Sequence, residues 1–256
     1  MKFTKLSLFL LSVSFQEIQS DEYLDYASPF HPKVSNNGMV VSQNVESSEL
    51  GVAILSAGGN AVDAAVAVGF SLAITLPRAG NIGGGGFMLI YIKDKDELFS
   101  IDYRSSSSLN SNLQNIFGSK SPTQIQEDDY DSIKYGYMAS AVPGTVYGLL
   151  EAHERFGKLS LKEVLLPVID QANEGIIVSY DLHNAIDSSD QLKQNSESKR
   201  IYFIDNEPLP IGSLLKRPDL AKTFESISKD GKDGFYGGWV AEKIQSSMKD
   251  NGGFID

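Results

Sequence analysis

Apolar positions along this chain change their spacing several times, and each change marks an element. Between Ala61 and Ile74 (AVDAAVAVGFSLAI), Ala61, Ala64, Ala65, Val68 and Leu72 recur at i, i+3, i+4 spacing and predict a helix. Alanines dominate that face and Gly69 adds to them, so the helix is expected to lie close against a sheet. Pro77 and Gly80 end it. Gly83, Gly84, Gly85 and Gly86 then lead into Phe87–Ile92, an apolar run of strand length. The charged segment Lys93–Glu97 turns the chain into a second strand, Leu98–Tyr103, and Arg104 follows directly.

The flanking sequence obeys the same grammar. Met39–Gln43 (MVVSQ) reads as a first strand. Ser47 or Asn44 is placed to cap a helix over Glu49–Ala57, with Leu50, Ile54 and Ala57 inward. A helix is predicted over Thr145–Phe156, with Val146, Leu149, Leu150 and His153 on its apolar side. Ser160-Leu161-Lys162-Glu163 is a capping box opening the next helix, which Pro167 is expected to divide and Gly175 to end. Asp181–Lys199 is polar and helical in part, Ile201–Ile204 is a short strand, and Leu220–Lys229 and Trp239–Lys249 are amphipathic helices. After Gly252-Gly253, Phe254-Ile255 begins an apolar element, so the local pattern reads as a chain that stops in mid-fold.

Composition narrows the function classes. The 256 residues are 41% hydrophobic and 21% charged, ordinary for a globular protein with a sizeable core. Against 33 acidic residues stand 22 basic ones, a net charge of −11 that suits neither nucleic acid nor an anionic membrane surface. With no cysteine, disulfides, thiolate nucleophiles and Cys-based metal sites are excluded. Lys2 and Lys5 precede the apolar run Leu6–Phe15 and the polar Gln16–Ser20, the layout of a secretory signal over residues 1–20. That run is too short for a permanent membrane span, and nothing else in the chain approaches the length of one. Export to the periplasm or the extracellular space is the expectation, with 21–256 as one incomplete domain.

Four successive glycines raise the possibility of a phosphate loop, and the residues argue against it. No Lys-Ser/Thr pair follows them, and Met88 and Leu89 stand where a G-x-G-x-x-G frame needs its last glycine. A helix precedes the glycines and a strand follows, so no helix N-terminus is expected to face them. They read instead as a turn needing positive φ and close backbone approach. Glu127, Asp128, Asp129 and Asp131 lack the ligand spacing and glycine of a calcium loop and read as a solvated loop. His31, His153 and His183 are isolated, so neither a metal nor another cofactor has sequence support. G-x-S-x-G is absent, and none of Thr4, Thr75, Thr123, Thr145 and Thr223 begins a new chain.

GGNAVDAAVAVGF, then P-x-A-G-N-I-G-G-G-G-F and I-D-Y-R, resembles the γ-glutamyltransferase (γ-glutamyltranspeptidase, glutathione hydrolase) family of N-terminal-nucleophile hydrolases. The resemblance runs from about Gly38 to Asp256, through GMVVSQN, VPGTVYG at Val142–Gly148, DLAKTFESI from Asp219 and FYGGWVAEKI from Phe235. It implies an α+β fold, the four-layer αββα sandwich, of which this chain supplies the N-terminal part of the large subunit. It also implies a precursor that cleaves itself to expose a threonine, whose α-amine serves as base for its own hydroxyl. That threonine, the oxyanion-hole glycines and most substrate contacts belong to a later part of the precursor. No catalytic residue therefore carries over, and this chain alone is expected to be inactive.

Arg104 does carry over, matching the family arginine that grips the α-carboxylate of the γ-glutamyl group. Its planar, always-charged guanidinium suits bidentate pairing with a carboxylate. Asp102 falls on the same side of the strand and is expected to orient it. Two departures stand beside this match: relatives commonly continue Arg-Glu-x-Ala-Pro where this chain has Ser105–Ser108, and Leu76 replaces a frequent histidine. The implied partners are glutathione or another γ-glutamyl compound and the small subunit from the same precursor. The rival readings are a related β-lactam acylase or poly-γ-glutamate transpeptidase, and a truncated, non-catalytic remnant that only binds.

Overall fold

The structure is a computed structural model that describes residues 32–126, 130 and 134–256. The proposed leader, Thr4, His31 and the acidic residues Glu127, Asp128, Asp129 and Asp131 lie outside the described residues. All the packing below belongs to one compact unit, Gly38–Asp256.

Residues 39–43 do not form the expected strand. Instead Ser42 bonds locally: its N–H donates to Ser48 Oγ (3.1 Å) and its hydroxyl to Asn44 O (2.7 Å), folding the segment into a helix entry. Helix α1, Val45–Ser56, therefore starts earlier than its hydrophobic pattern suggests. Asn44 is its cap, accepting from Ser47 N–H at 3.0 Å. Ser47 is then free to turn inward, where its hydroxyl meets those of Ser71 (2.7 Å) and Thr75 (2.8 Å). Leu50 and Ile54 are buried as expected, whereas Ala57, the C-cap, is exposed.

Helix α2, Ala61–Thr75, opens with a capping box in which Asn60 Oδ1 accepts from Val62 and Asp63 N–H, and Asp63 Oδ2 accepts from Asn60 N–H. The inward face is not the one its alanine spacing indicated. Ala61 and Ala65 are exposed and Leu72 is half-buried, while Val62, Ala64, Val66, Ala67, Val68, Phe70, Ala73 and Ile74 are buried. Three helices surround α2: α1, α4 (Thr145–Phe156) and α5 (Leu161–Glu174). A helix apolar all round is a core helix, so no single stripe identifies its buried side.

Strands β1 (Phe87–Ile92) and β2 (Glu97–Asp102) pair antiparallel, from Phe87↔Asp102 to Ile92↔Glu97, around a turn in which Asp96 is left-handed at φ 51°. Their two faces differ in fate. Ile90 and Ile101 are buried, with Met88, Ile92 and Phe99 packed against the same core. On the other face Phe87, Leu89, Tyr91 and Leu98 are exposed, at 59–73% of their full accessibility. After the short helix α3 (Leu113–Phe117), α4 forms over its expected span. Helix α5 runs unbroken through Pro167, contrary to expectation. Proline removes the donor that would serve Glu163 O, but Val164, Leu165, Val168, Ile169 and Ala172 are all buried against α2 and the helix at Pro218–Asp230, and that packing holds the axis.

The remainder is helical, with two short ladders among the described residues. Strand β3 (Ile176–Ile177) pairs with β6 (Leu214–Leu215). Helices α6 (Tyr180–Asp187), α7 (Asp190–Gln194) and α8 (Ser196–Tyr202) take up the polar stretch. The strand expected at Ile201–Ile204 is shortened to β4 (Phe203–Ile204), because Ile201 and Tyr202 finish α8. It pairs with β5 (Glu207–Pro208) across Asp205 and Asn206, both at positive φ as a two-residue hairpin turn requires. Helices α9 (Pro218–Asp230), α10 (Asp233–Tyr236) and α11 (Gly238–Asp250) complete the order.

What places the end of β2 is its contact with α4. The Tyr103 side chain lies flat against that helix at Gly148, where any Cβ would overlap its ring. The 256-residue chain is expected to self-associate through Phe87, Leu89, Tyr91 and Leu98, and Leu89→Lys with Leu98→Lys to restore a monomer by light scattering; a wild-type chain that is monodisperse and melts cooperatively would contradict this. In that soluble background, Gly148→Ala should reverse the usual helix preference. Alanine would normally gain about 1 kcal/mol, but overlap with Tyr103 should leave a net loss of about 1–3 kcal/mol, read as a lower urea midpoint at constant slope.

Candidate functional site

Arg104 stands where three segments meet: the glycine turn, the end of β2 and the start of α4. The β ladder continues past the strands, with Tyr103 N–H donating to Gly86 O at 3.0 Å and Gly86 N–H to Tyr103 O at 3.3 Å. A Cβ on Gly85 would press into Ser105 N and Tyr103 O, and one on Gly86 into the Tyr103 ring. The close approach read from the four glycines is therefore present. Positive φ is not: Gly83–Gly86 are absent from the left-handed glycines, which include Gly58 and Gly175. These glycines are needed for space rather than for handedness.

A helix N-terminus does face the turn, contrary to the reading from chain order. Gly144 and Thr145, at the start of α4, donate their N–H groups to Gly84 O at 2.7 and 3.0 Å. Two of the helix's orphan donors are thus satisfied by the turn itself, which uses the helix end as an anchor. Beyond Arg104, Ser106 and Val142 exchange backbone hydrogen bonds of 3.3 and 2.8 Å, tying the outgoing strand to the segment that enters α4.

The Arg104 side chain is exposed, and among the described residues its guanidinium has no hydrogen bond or ion pair. Asp102 does not orient it. The Asp102 carboxylate instead accepts from Arg104 N–H at 3.0 Å, fixing the main chain at the strand end and leaving the cation to project. Burial pushes the neighbouring Tyr103 phenol up, in keeping with its role as a packed wedge. Ser108, in the Ser105–Ser108 run, donates its hydroxyl to Phe254 O, so this stretch is tied to residues 254–256.

The other candidates fall into structural roles. His153 Nε2 is 2.9 Å from Leu159 O and 3.6 Å from Asp63 Oδ1, at the junction of α4 and α5. His183 Nδ1 is 2.8 Å from Leu209 O. Thr75 belongs to the buried hydroxyl cluster, and Thr145 opens α4. Among the described residues no group of His, Asp and Glu is arranged to hold a metal ion, and no helix is long and apolar enough to cross a membrane. A cavity of about 350 Å³ runs between the start of α2 and β1, lined by Asn60, Ala61, Val62, Ala65 and Met88–Asp94; Arg104 is not in its wall.

Sequence reasoning missed two residues. Gly144 is the N-cap of α4 and carries no capping side chain, and Tyr236, far along the chain, supplies an oxygen there. The signal was available: VPGTVYG enters a helix with glycine where Ser, Thr, Asp or Asn is expected.

Comparison with known proteins agrees with this geometry. The family model described as gamma-glutamyltranspeptidase matches residues 47–256. The glutathione hydrolase proenzyme of Escherichia coli strain K12 is 40% identical over 228 residues, which is 88% of this chain and 38% of that protein. The acylase ACY 1 proenzyme of Pseudomonas sp. strain SE83 is 33% identical over 91% of this chain and 42% of its own length. Among solved structures, the gamma-glutamyltranspeptidase of Helicobacter pylori superposes with a TM-score of 0.78 at 34% identity, over 88% of this chain and 63% of that one. The chain thus spans well under half the length of the curated relatives named here. The mixed helix-and-strand structure is the N-terminal part of the N-terminal-nucleophile hydrolase fold, as the sequence implied. On sequence and structure together, the chain belongs to the gamma-glutamyltranspeptidase family.

Proposed function

We propose that this chain forms the N-terminal part of the large subunit of an exported enzyme that transfers γ-glutamyl groups from glutathione and related compounds to water or to amino acids. Arg104 binds the α-carboxylate of the donor. The observation that carries this reading is an arginine whose N–H is held by Asp102 and whose neighbours Tyr103 and Ser106 are anchored to Gly86 and Val142, while its guanidinium has no partner among the described residues. A cation so placed is preorganised for an anion, and a planar fork selects a carboxylate.

The nucleophilic threonine belongs to a small subunit cleaved from the same precursor, so this chain alone does not turn over donor. Support comes from the word proenzyme in the names of the relatives and from the unpartnered apolar face of the β1–β2 hairpin. Attack by the threonine hydroxyl expels the amine of the leaving group and forms an acyl-enzyme. Water or an amino acid then releases the glutamyl group. The leader at residues 1–20 directs the precursor across the membrane.

An acylase reading has one observation in its favour, the 33% identity to the acylase proenzyme. Arg104 separates the two. In the complete enzyme, Arg104→Ala should raise KM for a γ-glutamyl anilide about 100-fold, the equivalent of about 3 kcal/mol of lost charge-assisted hydrogen bonding. It should leave hydrolysis of an acyl anilide lacking an α-carboxylate within about twofold. Equal losses on both donors would overturn the carboxylate role, and turnover of the acyl donor alone in the wild type would favour the acylase.

A further inference from the structure

We propose that Tyr236 is a positioning residue for Arg104, acting as the N-terminal cap that α4 cannot carry itself. This rests on the reading of Arg104 as the carboxylate site. Gly144 is the N-cap of α4. A Cβ there would overlap the carbonyl of Tyr103, so the approach of β2 to the helix forbids every residue that could cap it with a side chain. The missing oxygen arrives from α10. Tyr147 N–H, in the first turn of α4, donates to Tyr236 Oη at 2.9 Å, and the Tyr236 hydroxyl donates to Pro143 O at 2.8 Å.

One phenol therefore closes both sides of the residue that touches the strand end. Its ring is held in place by Tyr147 at 6.5 Å and Phe235 at 5.0 Å between centroids, both edge-on. Lys232, one turn earlier, bonds Glu151 and Glu154 of α4 at 2.9 Å each and lies 4.5 Å from the Tyr147 ring centre. Lys232 and Tyr236, at the two ends of α10, thus grip α4, α4 holds the Tyr103 carbonyl and ring, and Arg104 is the next residue. Loosening the cap lets residues 143–145 move, and the strand end leaning on them moves with them.

Tyr236→Phe keeps the ring and removes only the oxygen. In the complete enzyme it should raise KM for a γ-glutamyl anilide and Ki for L-glutamate about fivefold, with kcat within about twofold, because grip on the carboxylate is shared by ground and transition states. Ki for 4-aminobutyrate, which lacks the α-carboxylate, should stay unchanged, and hydrogen exchange at the Tyr147 amide should accelerate about tenfold. Equal weakening of both inhibitors, a fall in kcat at constant KM, or an unchanged glutamate Ki would overturn the proposal. A failure of Arg104→Ala to distinguish glutamate from 4-aminobutyrate would instead overturn the reading on which it rests. If Tyr236→Phe does not fold, Lys232→Met must reproduce the selective loss on glutamate in weaker form, and equal loss on both inhibitors overturns the proposal there too.

Discussion

Tyr103 presses its carbonyl and its ring into the first turns of α4, and much of the surrounding sequence is arranged to permit that contact. Gly144 and Gly148 are bare on the helix side, and Gly85 and Gly86 are bare on the turn side. A Cβ at any of the four would meet Tyr103 or the backbone next to it. Close packing transmits such a constraint rather than absorbing it, since interiors have few voids into which an extra methyl can relax. The constraint also has an electrostatic consequence. Removing the side chain at the N-cap removes the usual partner for the helix's first donors, which must then look elsewhere: to Gly84 O from below and to Tyr236 from the far side of the helix.

A second fixed point sits at the other end of α4. Asp63 is fully buried, yet no lysine or arginine pairs with it among the described residues. It accepts main-chain N–H groups from Asn60, Lys158 and Leu159 instead, within 2.9–3.3 Å, while Asn60 donates its side-chain amide to Phe156 O at 2.6 Å. A buried carboxylate is tolerated when hydrogen bonds replace its lost water. Because its donors come from two separate loops, this one ties the α1–α2 turn to the α4–α5 turn. Helix α4 is thus held at its C-terminal end by Asp63 and its neighbours, and at its N-terminal end by the glycine turn and Tyr236. Between those ends it supplies the wall against which β2 terminates.

Elements whose signals are local could be read from the sequence. Both strands of the hairpin, the capping box at Ser160 and the spans of α4, α9 and α11 depend on spacing within a dozen residues, and they stand close to where the pattern put them. The errors came where tertiary packing decides. Pro167 would break an isolated helix but is carried by a core on both sides of α5. The alanine stripe on α2 looked like a contact face, yet larger residues on its other sides are buried and Ala61 and Ala65 are not. Met39–Gln43 has strand composition and finds no strand to pair with among the described residues. Arg104 could be named from its motif, but the service of Asp102 to the backbone and the cap from Tyr236 are set by geometry between distant segments.

The placement of Asp102 bears on how the site is made. If Asp102 had paired with the guanidinium, the arginine would have been neutralised and partly immobilised, and a substrate carboxylate would have had to displace it. With Asp102 bound to the main chain, the strand end is stiffened and the guanidinium is left unpaired among the described residues. Rigidity is supplied by backbone contacts that need no side chain at Gly85, Gly86 and Gly144, and the Arg104 side chain, the group proposed to bind the donor carboxylate, projects beyond them. Separating the two tasks matters energetically. A flexible arginine loses up to about 2 kcal/mol of side-chain freedom on binding, so fixing its Cα beforehand leaves only the side-chain rotors to order when an anion arrives.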